Sequence, residues 1–452
     1  MKIISAISLA LTAALGLATT VQAAELPATP HTWSMYAMTP GHNAWHASGF
    51  PAVSWHYDAP GAAEANASKL LNRTMIRDLV GFPIGVAVVD DTVYATNDDG
   101  YLYAVDARTG TLRWRFHAFN QLMGTPIVAT LGGRTLVFVG AGNSVFAYSH
   151  AVNFAQPGAR VIRGNGVSVV FAVDAATGEQ VWVYPTRGED MPTPVFYKGR
   201  LLFGNGDGHV YALDAATGKL AWKTSITSFV SMSSATLDAQ CGVLVVGGTQ
   251  PSKIYGLAAD NGKLMWSVMP PNIFSSSAGD GTWAIHGATA IGQIETQNSD
   301  QAKAGTSSSE ELAIDLTSGK IVWSTTLGSG KTPPRNKDAV PTVVDGVIYT
   351  GSPVTHREYA LDAAHGKLRW QRAMPASMKA APTVVGNAVI QPTASGELVT
   401  LDKRSGKILN SYNRHQGGYG PQNAVVMGQT LFIGSNAGTL RAIPLSKLAV
   451  HD

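Results

Sequence analysis

One eleven-residue phrase recurs along this chain, and it limits what the chain can fold into. Its first copy reads Ala104-Val105-Asp106-Ala107-Arg108-Thr109-Gly110-Thr111-Leu112-Arg113-Trp114. Aligned on the glycine, further copies centre on Gly178, Gly218, Gly262, Gly319 and Gly366, each four residues ahead of a tryptophan. Those tryptophans are Trp182, Trp222, Trp266, Trp323 and Trp370. A degenerate copy at Gly406 ends on Asn410. Units of this size cannot bury their apolar face alone, so they stack or close into a ring.

The phrase has a physical reading. Asp106, Asp174, Asp214, Asp315, Asp362 and Asp402 stand four residues before the glycine, where a carboxylate can accept turn N–H groups or the Thr hydroxyl. The fourth copy has Ala258 instead. Glycine supplies a left-handed residue. The Trp opens an outer strand and offers a large ring to the next unit. Such periodicity explains the aspartates without any catalytic task.

Strand pairs with tight hairpins precede each phrase, as at Asp99-Gly100, Asp207-Gly208, Ser395-Gly396 and Ala437-Gly438. Seven glycine-centred copies and an eighth that lacks its Trp predict an all-β, eight-bladed β-propeller of four-stranded antiparallel blades. The missing strand is expected at the mature N-terminus, in residues 51–57, where it would close the ring and remove open sheet edges. The division that follows is a secretory signal peptide at 1–23, an N-terminal segment at 24–50, the propeller at 51–446 and a C-terminal tail at 447–452. Insertions near 149–166 and 295–309 are expected to loop out.

Lys2, the apolar run Ile3 to Leu17 and the small residues before Ala24 read as an export signal. A periplasmic or extracellular location is therefore expected. No apolar run after the signal is long enough for a transmembrane segment. The single cysteine, Cys241, cannot form an internal disulfide. A net charge of +3 gives no reason to expect nucleic acid as a partner. Only 14% of residues are charged, which suits an acidic exterior, because fewer carboxylates are neutralised as pH falls. His42 and His46 are four apart, but Pro40 and Gly41 argue against a helix presenting both to a metal.

Propellers bind ligands at the axis, so the residues that begin each inner strand matter most. Pro83, Pro126, Pro194, Ala235, Trp283, Pro341 and Pro382 mark these starts. Three residues earlier stand Val80, Met123, Met191, Met232, Asp280, Asp338 and Lys379, with Tyr419 or Gly420 in the last blade. These side chains are expected to ring one mouth. Charges fall on three consecutive blades, and nearby Lys331, Arg335 and Lys337 add cations. Two carboxylates among cations suit an anionic ligand and acid–base work.

The Ala-x-Asp-x-x-Thr-Gly-x-x-x-Trp phrases at Ala104, Ala172 and Ala212 resemble those of the pyrroloquinoline-quinone-type repeat propellers. That family spans quinone dehydrogenases, barrel-assembly scaffolds and hydrolases, so fold alone leaves function open. The segments Ser277-Ala278-Gly279-Asp280-Gly281-Thr282-Trp283 and Lys331-Thr332-Pro333-Pro334-Arg335-Asn336-Lys337-Asp338 are similar to the tetrathionate hydrolases of this family. The resemblance implies a small anionic sulfur substrate, a channel carboxylate and no cofactor; a homodimer is a further expectation. Asp280 is expected as the base, with Asp338 as alternative or partner, and their pKa values are expected to be depressed by cations. Lys331, Arg335, Lys337 and Lys379 would anchor sulfonates, while Trp283, Met232 and Tyr419 would contact the substrate. The other readings are a non-catalytic scaffold and a dehydrogenase holding pyrroloquinoline quinone with calcium.

Overall fold

The computed structural model describes residues 36–37, 39–42, 49–142, 168–334, 338–413 and 417–450. Its strands form eight four-stranded antiparallel sheets, the blades of one ring. Blade one shows the pattern: Ala87–Val89, Thr92–Thr96, Tyr101–Asp106 and Leu112–His117 run from axis to rim. The two inner strands are wholly buried, whereas the outer strand alternates between exposed and half-buried residues. A register shift between Ala104 and Val105 recurs at Ala172/Val173 and Ala212/Leu213, because the repeated Asp–Gly turn inserts an extra residue each time.

The first strand closes the last blade. Trp55–Asp58 pairs antiparallel with Thr439–Pro444, matching Trp55 to Ala442 and Asp58 to Thr439. The repeat phrase then joins blade to blade. A Cβ on Gly110 would come within 2.8 Å of the Trp55 ring, so glycine is needed for space as well as for its φ of 76°. The same contact recurs as Gly178 on Trp114, Gly218 on Trp182 and onward to Gly406 on Trp370. Each indole N–H reaches the carbonyl that follows the next blade's aspartate, as in Trp55 to Ala107 (2.8 Å) and Trp266 to Leu316 (2.7 Å). Trp222 is the exception: it faces the copy with Ala258, and its buried indole N–H has no partner.

The aspartates hold the turns as their spacing requires. Asp106 Oδ1 accepts from the Arg108 and Thr109 N–H groups and from the Thr109 hydroxyl. Partial burial pushes its carboxyl up, but the Arg113 and Thr109 donors outweigh that and hold its pKa at about 2.

Among the described residues three short α-helices lie outside the sheets. The first, α1, spans Ala62–Ala67, and α2 spans Arg73–Val80, capped by Asn72 accepting from the Thr74 and Met75 N–H groups at 3.0 Å. The third, α3, is Ser299–Ala304, with a capping box between Asn298 and Gln301. It sits at the tip of blade five, beyond Thr289–Thr296, and that blade's strands Thr306–Asp315 and Ile321–Lys331 are longer than any described strand of the other blades. The 295–309 insertion is therefore mostly paired strand and helix rather than loop. The 149–166 insertion lies outside the described residues. No described helix is long and apolar enough to cross a membrane.

Candidate functional site at the channel mouth

Every inner strand starts just after a connection that crosses from the rim to the axis. A chain of hydrogen bonds between blades fixes these connections. The Gly85 N–H donates to Thr125 Oγ1 (3.1 Å), Thr125 to Thr193 (2.9 Å), Thr193 to Ser234 (3.2 Å) and Ser234 to Thr282 (3.1 Å). Blade six has Val340 at this place, and a side-chain acceptor is missing there. The next blade has Ala381 at the equivalent place, and the Val340 N–H donates to the Lys379 carbonyl at 3.2 Å.

Asp338 supplies the tie that Val340 cannot. Its Oδ1 accepts from Ser277 Oγ (2.7 Å) and the Glu295 N–H (3.0 Å), and its Oδ2 accepts from the Ala278 N–H (2.8 Å). Blade six is thereby fastened to the loop that carries Asp280. Asp338 is 3% exposed. Burial pushes its carboxyl well above the usual range, the Ser277 hydroxyl pulls the other way, and the charges of Asp280 and Glu295 push it further up. The expected cationic depression is absent at this residue. Burial and the neighbouring carboxylates outweigh any cation there.

Asp280 is half-buried, and its Oδ1 accepts from Ser231 Oγ at 2.8 Å. It borders a cavity of about 10 Å³ together with Asp338, Lys379, Met232 and Tyr36. That is close to the room a single water needs. Repeat equivalence thus brings Met232, Asp280, Asp338 and Lys379 together at the axis. In the first blade the inner strand begins at Ala87, so its mouth position is Pro83, and Val80 ends α2. In the last blade Pro421 borders the cavity.

The other candidates lie elsewhere. Tyr419 is buried in the apolar core shared by blades seven and eight. Trp283 packs its ring into the core of blade five, against Gly292, and its carbonyl accepts from Thr236 Oγ1 of blade four. Lys331 is exposed at the end of its strand, paired with Thr306. Arg335 and Lys337 lie outside the described residues, as does His46. Tyr36 is a lining residue that repeat reasoning could not find, because it precedes the first strand.

A second group of carboxylates lies behind the mouth, between blades five and six. Glu311 and Glu358 are both fully buried. Burial pushes Glu311 up to about 8, although Gln293 and Thr350 sit beside it. Burial also pushes Glu358 well up, and the neighbouring Glu311 adds to this. Gln293 bridges the blades, donating to the Gly351 carbonyl at 2.7 Å and to Thr350 Oγ1 at 3.1 Å.

Comparison with known proteins adds relatives to this geometry. The chain is 28% identical to a tetrathionate hydrolase of Acidithiobacillus ferrooxidans, over 93% of its length and 87% of that protein. It is 27% identical to a tetrathionate hydrolase of Acidianus ambivalens, covering 82% of this chain and 72% of the other. Among solved structures, quinohemoprotein alcohol dehydrogenase from Comamonas testosteroni aligns with a TM-score of 0.60 at 15% identity, over 93% of this chain and 81% of that one. BamB from Moraxella catarrhalis aligns with a TM-score of 0.55 at 17% identity, over 80% and 94%. At such identities the two structures speak for fold alone. The family model described as outer membrane protein assembly factor BamB matches residues 39–153, 149–272 and 308–447. With that coverage and its eight repeat-built blades, the chain belongs to this pyrroloquinoline-quinone-type repeat family of β-propellers.

Proposed function

We infer that the chain is a hydrolase of tetrathionate working at the channel mouth, exported from the cytoplasm by its first 23 residues. The observation that carries this reading is the near full-length similarity to two tetrathionate hydrolases. The mouth supports it: a half-buried carboxylate, a lysine and a methionine border one small cavity.

Tetrathionate is a linear dianion, a sulfur chain with a sulfonate at each end. Lys379 is placed to pair with one sulfonate, and Met232 to contact the polarisable sulfurs. Asp280 is the general base. The water oxygen bonds to one sulfur and an S–S bond breaks. Its electron pair leaves with the departing sulfur chain, while the proton passes to Asp280. Asp338, buried and tied to three donors, positions the Asp280 loop instead of meeting substrate.

A planar quinone with calcium does not fit these residues. Trp283 is packed in the core of blade five, and among the described residues no three His, Cys, Asp or Glu side chains converge. The test is purified protein with tetrathionate at acid pH and no added quinone, followed by thiosulfate release. Turnover is expected. An inert, folded protein would overturn the reading.

A further inference from the structure

A second, larger cavity, of about 510 Å³, lies between the α1–α2 pair and blades seven and eight. It opens on the same face as the mouth, and strand direction shows why. Each inner strand starts at the mouth, so the hairpin between the second and third strands returns to that face, as does the connection leaving the fourth. Two such hairpins, at Ser395 and Asn436, border the cavity, together with the connection at Gly417 and Gly418. Pro421, three residues beyond Gly418, borders the small mouth cavity.

The opposite wall is α2, which presents Arg73 and Arg77 one turn apart, about 6 Å along the helix. This wall is fixed. Asn97 donates to the Val80 carbonyl at 2.8 Å and Gln121 to the Asp78 carbonyl at 3.0 Å. Asn66 ties α1 to the blade-eight hairpin, donating to the Ala62 and Ala437 carbonyls at 2.7 and 2.8 Å. Among the described residues no Asp or Glu lines the cavity. Arg73 is exposed and forms no ion pair with a described residue. Arg77 spends two N–H groups on Asp78 Oδ1, at 2.9 and 2.5 Å, and keeps the rest. Asn436 Oδ1 accepts from Gln422 at 2.6 Å, so its own amide N–H groups are what it offers a ligand. The Ser395 hydroxyl donates to Glu397 at 2.9 Å and is already spent.

We propose that this cavity binds a small dianionic oxoanion, held between the Arg73 and Arg77 guanidinium groups with the Asn436 amide as a third donor. Guanidinium keeps its charge at any working pH, and its planar fork matches the oxygens of such an ion. Two cations one turn apart suit either both charges of one tetrahedral ion or a charge at each end of a short chain. The site is separate from the mouth and does not depend on the hydrolase reading.

The test is calorimetric titration of the purified protein with sulfate and, separately, with ethanedisulfonate, at constant ionic strength in chloride. Neither probe has an S–S bond to break, so the readout is independent of turnover. Saturable binding of at least one probe is expected, and the better binder tells a lone tetrahedral ion from a chain with two charged ends. Arg73→Gln and Arg77→Gln should each weaken that binding about tenfold or more. Lys379→Met, at the mouth, should leave it in place. Arg77→Gln also releases Asp78, so Arg73→Gln with a wild-type melting curve gives the cleaner comparison. No saturable binding of either probe overturns the proposal. Binding that Arg73→Gln leaves unchanged overturns it too, and its loss in Lys379→Met would put the anion at the mouth instead.

Discussion

Asp315 closes a strand of blade five at the rim, and Asp338 opens blade six at the axis. The first accepts from the side chains and N–H groups of Thr317 and Ser318, and these donors hold its carboxyl below the usual range. The second accepts from three donors against the first one's four, yet burial and two neighbouring carboxylates push it well above that range. Burial, not residue type, decides the sign. The turn aspartates Asp106, Asp174, Asp315, Asp362 and Asp402 are depressed, while the buried Asp338, Glu311 and Glu358 are raised.

The two regions therefore respond to pH in opposite directions. A depressed carboxyl contributes stability above its unfolded pKa and loses it as pH falls through the folded value, about 2 for Asp106. A raised carboxyl binds protons better folded than unfolded. Its contribution declines as pH climbs from the unfolded value, 4.5 for Glu311, to the folded value of about 8. Stability should peak in mild acid between these windows.

The largest expected effect comes from the rim's packing. Trp266→Ala removes a ring that is 8% exposed and wedged against Gly319, and should cost about 3–5 kcal/mol by denaturant unfolding. A cost well under 1 kcal/mol would mean the Trp–Gly belt does not hold the blades. The next effect sharpens the pH contrast. Each pKa unit is worth about 1.4 kcal/mol, so Glu311→Gln with Glu358→Gln should flatten the decline in Tm from mild acid to pH 8, a change on the order of a few kcal/mol. An undiminished decline would place the pH dependence elsewhere.

Lys379→Met should raise KM for tetrathionate about tenfold while the fold persists, read from steady-state kinetics. An unchanged KM would remove Lys379 from the site. The smallest effect is at a single rim turn. Asp315→Ala should lose about 1 kcal/mol at pH 7, with the difference fading as pH falls below the usual carboxylate value of 3.8, and should leave turnover unchanged.

The rim was legible in the sequence because it repeats. Asp, Gly and Trp recur at fixed spacing, and blade count and ring closure follow from that spacing. The mouth was legible as far as equivalence reaches, which placed Met232, Asp280, Asp338 and Lys379 together. It failed at Val80 because the first inner strand begins at Ala87, three residues later than Pro83 implied, and Val80 ends α2. Tyr36 left no trace, since nothing outside the repeat has an equivalent. The raised pKa of Asp338 depends on which charges end up next to it, and spacing does not encode that. The 295–309 insertion did carry a readable sign, the Asn298–Gln301 capping box followed by Gly305 at a φ of 67°.

The central claim is that one of these two mouth carboxylates moves a proton while the other holds the loop. Turnover of tetrathionate by Asp280→Asn, beside its melting curve, tests it most directly. The account expects wild-type melting and a kcat lower by about 10²–10⁴. A folded Asp280→Asn protein that turns over at the wild-type rate would contradict it.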